Sequence, residues 1–186
     1  MIKYLHLDCE MGSGDLSSSL LTSYFMVTDD KFNVIDTLYL QTKPDDGIYI
    51  LSGQGMIVNK INIQEHDKIA IPYKQAKPLL FNFLKQHSSS CRLTPVGHGV
   101  LGDIRHVKDK LISSGSWEQF CSYHFIDTSV VLQFLRVCGK MPMDTDGSVE
   151  ALSKYFNIVQ FAGEYHNAEF DVRMTAKILE KMIGLI

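Results

Sequence analysis

Three strand-like segments fill the first 42 residues of this chain before any helical period begins. IKYLHLD (2–8), LLTSYFMVTD (20–29) and NVIDTLYLQT (33–42) are rich in β-branched and aromatic residues, which suit a pleated, half-buried surface. Asp29, Asp30 and Lys31 read as a tight turn, so the second and third segments are expected to form a hairpin. A Pro-, Gly- and Asp-rich stretch over 43–55 reads as loop, and strand and helix alternate beyond it. YKQAKPLLFNFLKQH predicts a helix with Ala76, Leu80, Phe83 and His87 on one face and Pro78 as its candidate start. CRLTPVGH reads as a strand, VLGDIRHVKDKLISSG as one helix ended by Gly115, and YHFID as a strand. TSVVLQFLRVCG follows as a helix capped by Thr128, then VEALSKYF as another. The last helix starts at Asn167 and buries Val172, Ala176, Leu179 and Ile183. Strands first, then alternation, predicts an α/β fold with a mixed central sheet flanked by helices.

A length of 186 residues suits one domain, residues 1–186, with a full core. Hydrophobic residues make up 45% and charged residues 21%, the balance of a globular chain. No apolar run approaches the roughly 20 residues that cross a bilayer, and MIKYLHLDCEMG lacks the features of a signal peptide. Cys9, Cys91, Cys121 and Cys138 form no CxxC pair, so free thiols in a reducing compartment are expected. The resulting expectation is an intracellular, cytoplasmic protein with no membrane contact. The net charge of −3 gives no bulk electrostatic hint of nucleic acid, yet excludes none, because bound cations offset an acidic site locally.

Four carboxylates stand out by placement. Asp8 and Glu10 end the first strand, where period-two alternation puts both on one face. Asp103 follows the strand LTPVGH near the start of a helix, and Asp171 lies in the first turns of the last helix, five residues after His166. Converging carboxylates repel and raise one another's pKa. Mg²⁺ and Mn²⁺ relieve that repulsion, since they take oxygen ligands and bind carboxylates together with phosphates. Two such ions about 3.5–4 Å apart form a clamp for attack on a phosphodiester, and a histidine with a near-neutral pKa suits the proton transfer. Taken singly, each acid reads as a solvated cap and His166 as a structural histidine. Order, spacing and element-end placement together point to chemistry.

In order and spacing, LHLDCEMG, VGHGVLGD and YHNAEFD resemble the three motifs of the DEDDh (DnaQ-like) 3′–5′ exonucleases, whose fold is ribonuclease H-like. The resemblance spans residues 5–171. It implies that Asp8 bridges two metal ions, that Glu10 and Asp171 complete the first site, that Asp103 supports the second, and that His166 is the general base. The spacing H-x4-D from His166 to Asp171 matches the histidine subclass; the tyrosine subclass would need a tyrosine at the position of Asn167. MIVNKINIQEHD resembles the segment that holds the 3′-terminal nucleotide. Met11, Gly12, Asn59, Ile61 and His98 are therefore the implied substrate contacts, with Met11 placed to pack against a terminal base. Met11, Gly99 and Gly102 depart from common family residues at their positions.

The implied activity is release of nucleoside 5′-monophosphates from the 3′ end of single-stranded or frayed DNA or RNA. A non-catalytic 3′-end binding module and a proofreading subunit of a separate polymerase, or of a replication or repair complex, are the other readings. Oligomeric state is open. Lys60, Lys68, Lys74, Lys77 and Lys108 read as solvated charges, with Arg105 and Arg173 better placed for phosphate. Tyr24, Phe25, Phe81, Phe83 and Phe125 read as core, His6 as structural, and Cys9 as buried packing on the opposite strand face. Met182, Ile183, Leu185 and Ile186 either cover the core or meet a partner.

Overall fold

A computed structural model describes residues 2–158 and 165–186. Six strands, β1 (Tyr4–Met11), β2 (Leu20–Thr28), β3 (Val34–Lys43), β4 (Ile71–Pro72), β5 (Thr94–Gly97) and β6 (Ile126–Asp127), form one sheet in the order β4-β3-β2-β1-β5-β6. β1, β2 and β3 pair antiparallel, β2 and β3 as the predicted hairpin, while β5 joins β1, β6 joins β5 and β4 joins β3 in parallel. The sheet is therefore mixed and the fold α/β, as expected. Eight helices lie among the described residues: α1 (Gly53–Asn59), α2 (Ile63–Ile69), α3 (Tyr73–His87), α4 (Leu101–Lys110), α5 (Ser114–Phe120), α6 (Thr128–Val137), α7 (Val149–Tyr155) and α8 (Ala168–Ile183). None is long and apolar enough to cross a membrane.

All nine residues of β2 are buried, because helices cover both faces of the sheet. Alternation in β1 sends Leu5, Leu7 and Cys9 into a core built with Leu80 and Leu84 of α3 and Val107 of α4. On the opposite face Tyr24 and Met26 of β2 pack beneath Ala168, Val172 and Ala176 of α8. His6, Asp8 and Glu10 share that second face, and the charged end of β1 emerges beside the start of α8. His6 is structural, buried and bonded to the Thr28 hydroxyl at 3.1 Å.

The helices differ from the sequence reading in four places. Helix α3 starts at Tyr73, not Pro78. The Tyr73 hydroxyl accepts the Leu20 N–H at 2.9 Å, and Asp45 accepts the Lys74 N–H at 2.9 Å, so the first turn is anchored before the proline. Pro78 then removes a single hydrogen bond, the one its N–H would give to the Lys74 carbonyl. The segment expected as one helix over 100–115 breaks into α4 and α5, because Leu111, Ile112 and Trp117 all turn into the core and Ser113 caps the second helix. Gly115 lies inside α5. Asp127, not Thr128, caps α6, its carboxylate accepting the Ser129 N–H at 2.9 Å. Helices α1 and α2 were not expected; they meet at Lys60, whose φ of 57° ends the first.

The exit from β1 is crowded. Its register with β2 shifts between Glu10 and Met11, leaving Leu21 as the extra residue, a bulge that turns the chain beside the two acids. Gly12 then lies against the start of α1: its carbonyl accepts the Ser52 N–H at 2.8 Å, and a Cβ on Gly55 would stand 2.3 Å from that carbonyl oxygen. The Gly12 carbonyl carbon would stand at 2.8 Å, and both atoms belong to backbone, so neither can rotate away. Gly55→Ala is expected to cost about 1–3 kcal/mol of stability. Gly53→Ala, where a Cβ meets nothing within 4 Å, is expected to be neutral or to stabilise by up to about 1 kcal/mol. Urea unfolding of the two variants checks this, and equal effects would contradict it.

Candidate active site

Four chain segments converge at the end of β1. The parallel pairing of β1 with β5 stops at His6 and Val96, so Asp8 and Glu10 project beyond the carboxyl end of β5, the usual place for a site in such sheets. Asp103 arrives from the first turn of α4. One of its oxygens accepts the backbone N–H of Cys9, between the two strand acids, at 3.2 Å. Asp171 arrives from the first turn of α8. Its Oδ2 accepts the backbone N–H of His166 at 2.9 Å, and Asn167 caps the helix by accepting the Phe170 N–H at 3.2 Å. His166 itself is exposed and holds a left-handed φ of 66°, a conformation that costs about 1–3 kcal/mol unless its surroundings fix it.

Carboxylate oxygens of Asp8, Glu10 and Asp171 all lie within 4.8 Å of one another. The other oxygen of Asp171, Oδ1, is buried with no hydrogen-bond partner among the described residues. A buried acceptor left unsatisfied is costly, so this arrangement calls for a cation. Burial raises the Asp8 pKa well above the ordinary carboxylate range, and the charges of Asp103, Glu10 and Asp171 add to it. Burial also pushes Glu10 up to about 7, with Asp171 contributing, and Asp103 up to about 8, against the hydrogen bond from Cys9. Burial raises Asp171 too, opposed by the His166 N–H. The donor set is all oxygen, which suits a hard divalent cation such as Mg²⁺ or Mn²⁺.

Two chambers flank this cluster and share Glu10 and Asn59 as a common wall. The first, of about 380 Å³, is bounded by Thr22, Tyr39, Lys60, Ile61, Tyr165 and His166. The second, of about 370 Å³, lies over Met11, Ser13, Gly14, Gly55 and Val58. Of the implied substrate contacts, Met11, Asn59 and Ile61 therefore line the chambers. Asn59 also ties the wall together: its amide donates to the Met11 carbonyl at 3.0 Å, and its side-chain oxygen accepts the Ile61 N–H at 3.0 Å. Gly12 and His98 line neither chamber. Gly12 serves the close approach of α1, and His98 bonds through Nδ1 to the Thr128 hydroxyl at 2.8 Å.

Sequence reasoning missed Asp127. Its two oxygens accept the N–H groups of Gly99 and Val100 at 3.0 and 3.1 Å, which fixes the β5–α4 loop that leads into the first turn of α4 and Asp103. The signal was present as an acid two residues before Ser129 at a strand end. Arg173 is not available for phosphate: it pairs with Glu169 at 2.9 Å and donates to the Tyr24 hydroxyl at 2.8 Å. Phe125, read as core, is exposed.

No protein-family model matches the chain, and no curated protein matches it. Solved structures do match its fold. E. coli exonuclease I in complex with a dT13 oligonucleotide superposes with a TM-score of 0.77 at 15% identity, over 98% of this chain and 41% of that one. A moderately thermophilic exonuclease I from Methylocaldum szegediense gives 0.76 at 16% identity, over 98% and 40%. The zinc-bound form of the E. coli enzyme with single-stranded DNA gives 0.75 at 16% identity, over 98% and 40%. This chain thus spans about two fifths of the length of those enzymes.

The pKa shifts make a stability prediction with a definite sign. Unfolded carboxyls lose their protons near pH 4, whereas folded Glu10 and Asp103 hold theirs to about 7 and about 8. Between those values the unfolded chain binds fewer protons, so the cluster's contribution is full below about pH 4 and is lost as pH rises through about 7 to 8. Metal-free protein is expected to lose stability from about pH 5.5 to about pH 8.5, and Asp103→Asn to flatten that fall. Mn²⁺ should restore the wild type at the higher pH. Urea unfolding in chelator checks this; a wild-type stability that rises over the same range, with an unchanged slope in Asp103→Asn, would contradict it. The geometry of the sheet and the superpositions agree: this chain has the ribonuclease H-like α/β fold that exonuclease I also carries.

Proposed function

We propose that residues 1–186 act as one catalytic domain, a metal-dependent 3′–5′ exonuclease that hydrolyses the terminal phosphodiester bond of a single-stranded nucleic acid and releases nucleoside 5′-monophosphates. The observation that carries this reading is the convergence of carboxylate oxygens of Asp8, Glu10 and Asp171 within 4.8 Å of one another, with Oδ1 of Asp171 buried and without a hydrogen-bond partner among the described residues. A binding module that only grips a strand end gains nothing from three crowded carboxylates, since they repel the phosphate it must hold. The fold shared with enzymes solved on dT13 and on other single-stranded DNA supports DNA as the first substrate to test, with RNA beside it.

Asp8, Glu10 and Asp171 hold the first ion in this reading, and Asp8 and Asp103 the second. Bound there, Mg²⁺ or Mn²⁺ would offset the carboxylate charge, lower the pKa of an attacking water and stabilise the departing 3′ oxygen. Asp171 has two tasks on one side chain. Oδ1, buried and without a hydrogen-bond partner among the described residues, is left to meet an ion, while Oδ2 fixes the backbone of His166 and so sets where its imidazole stands. The exposed imidazole would then take the proton from the water as general base. Asp127 acts at one remove, holding the loop that aims Asp103.

Cleavage of 5′-labelled DNA and RNA oligonucleotides, with and without a 3′ block, tests the reading. Wild type with Mg²⁺ or Mn²⁺ is expected to give a ladder that shortens from the free 3′ end and stops in chelator. Asp8→Asn should abolish the ladder while the protein stays folded. His166→Gln should lower the rate by about 10²–10⁴-fold and leave metal-induced stabilisation in place. Near-normal turnover by Asp8→Asn would sink the metal assignment.

A further inference from the structure

The chamber on the His166 side has a built aromatic wall that the hydrolytic reading does not use. In the sheet register Asp8 stands opposite Tyr24, and Tyr24 opposite Tyr39, so the three side chains form one row on the carboxylate face. Helix α8 covers Tyr24, which is 2% exposed, and the row surfaces at Tyr39, which is 40% exposed. The Tyr24 ring backs Tyr39 at a centroid distance of 6.0 Å and a tilt of 57°. The ring is therefore backed by Tyr24 on one side and offers surface to the chamber on the other. Lys60 lines the same chamber. It is exposed, sits at the left-handed turn that ends α1, and forms no ion pair among the described residues, although Glu10 shares its wall.

An aromatic face backed by a second ring and a cation with no ion pair among the described residues, set beside the carboxylate cluster, match how single-stranded nucleic acid is held: bases stack and lysines meet phosphates. The chamber volume of about 380 Å³ falls within the range of ligand pockets. We propose that Tyr39 is the platform on which one base at the bound strand end stacks, with Lys60 meeting an adjoining phosphate, a reading that rests on the exonuclease function above. Stacking uses the face common to every base, so the platform tolerates sequence. It also requires a base freed from its neighbours, so Tyr39 selects unpaired ends over duplex ends.

The test is the affinity of 5′-labelled oligo-dT, followed by fluorescence anisotropy in Ca²⁺, for wild type, Tyr39→Phe and Tyr39→Leu, together with cleavage in Mg²⁺. Tyr39→Phe keeps the ring and should bind within about threefold of wild type, whereas Tyr39→Leu should weaken binding by about 5–100-fold. The Tyr39→Leu effect should vanish on an oligonucleotide made abasic at one position near the 3′ end. Thermal melts show whether each variant is folded, and the partial exposure of Tyr39 makes both substitutions tolerable. Equal affinity of Tyr39→Leu and wild type overturns the platform. So does an equal loss in Tyr39→Phe and Tyr39→Leu, or a Tyr39→Leu effect that survives an abasic residue at every position. Wild type that binds with this Tyr39 dependence but cuts nothing would leave the platform standing and overturn the exonuclease reading alone.

Discussion

Mutual repulsion among Asp8, Glu10, Asp103 and Asp171 is the constraint around which the rest of this structure is arranged. Burial pushes all four carboxyls above their ordinary range, and neighbouring carboxylates add to it at Asp8, Glu10 and Asp103, so without a cation the cluster favours protons. Such a site opposes its own assembly, and rigid surroundings must enforce it. The surroundings are the buried strand β2 on one side of β1 and the parallel partner β5 on the other, with helices over both faces. Stability given up at a site of this kind is typical where function needs groups that would rather be apart.

Each acid is placed by a different kind of contact. Strand alternation places Asp8 and Glu10 with no help from side-chain bonds. A hydrogen bond from the Cys9 backbone draws Asp103 in, and the loop that leads into its helix hangs on the carboxylate of Asp127. The helix start capped by Asn167 presents Asp171, which in turn fixes His166. The aromatic row from Tyr24 to Tyr39 extends the same face of the sheet outward. One register therefore aligns the carboxylates with the surface proposed to hold the strand.

Much of this was legible in the sequence. The alternation IKYLHLD, the hairpin that follows, and the Asn167 cap are local signals, and local signals survive folding. The four acids and His166 could be named because each lies at an element end that the pattern itself reveals. What escaped depends on contacts between distant segments. Pro78 looked like a helix start because the anchors of Tyr73 and Lys74, on Leu20 and Asp45, come from elsewhere in the chain. The break between α4 and α5 follows from burying Leu111, Ile112 and Trp117 together, which no helical period reports. Helices α1 and α2 are only seven residues each, too short for a clear pattern. Arg173 looked free beside a ligand candidate, and Tyr39 looked like any strand aromatic; the pairing of β2 with β3 and the packing of α8 decided both.

The most direct measurement is an anomalous-difference map from crystals grown with Mn²⁺ and a nucleoside 5′-monophosphate. The account predicts a peak among the oxygens of Asp8, Glu10 and Asp171, with Oδ1 of Asp171 as a ligand, and a second peak beside Asp8 on the Asp103 side. The nucleotide's phosphate should touch both. A map with Mn²⁺ elsewhere and none at the cluster, at an ion concentration that supports cleavage, would contradict the central claim.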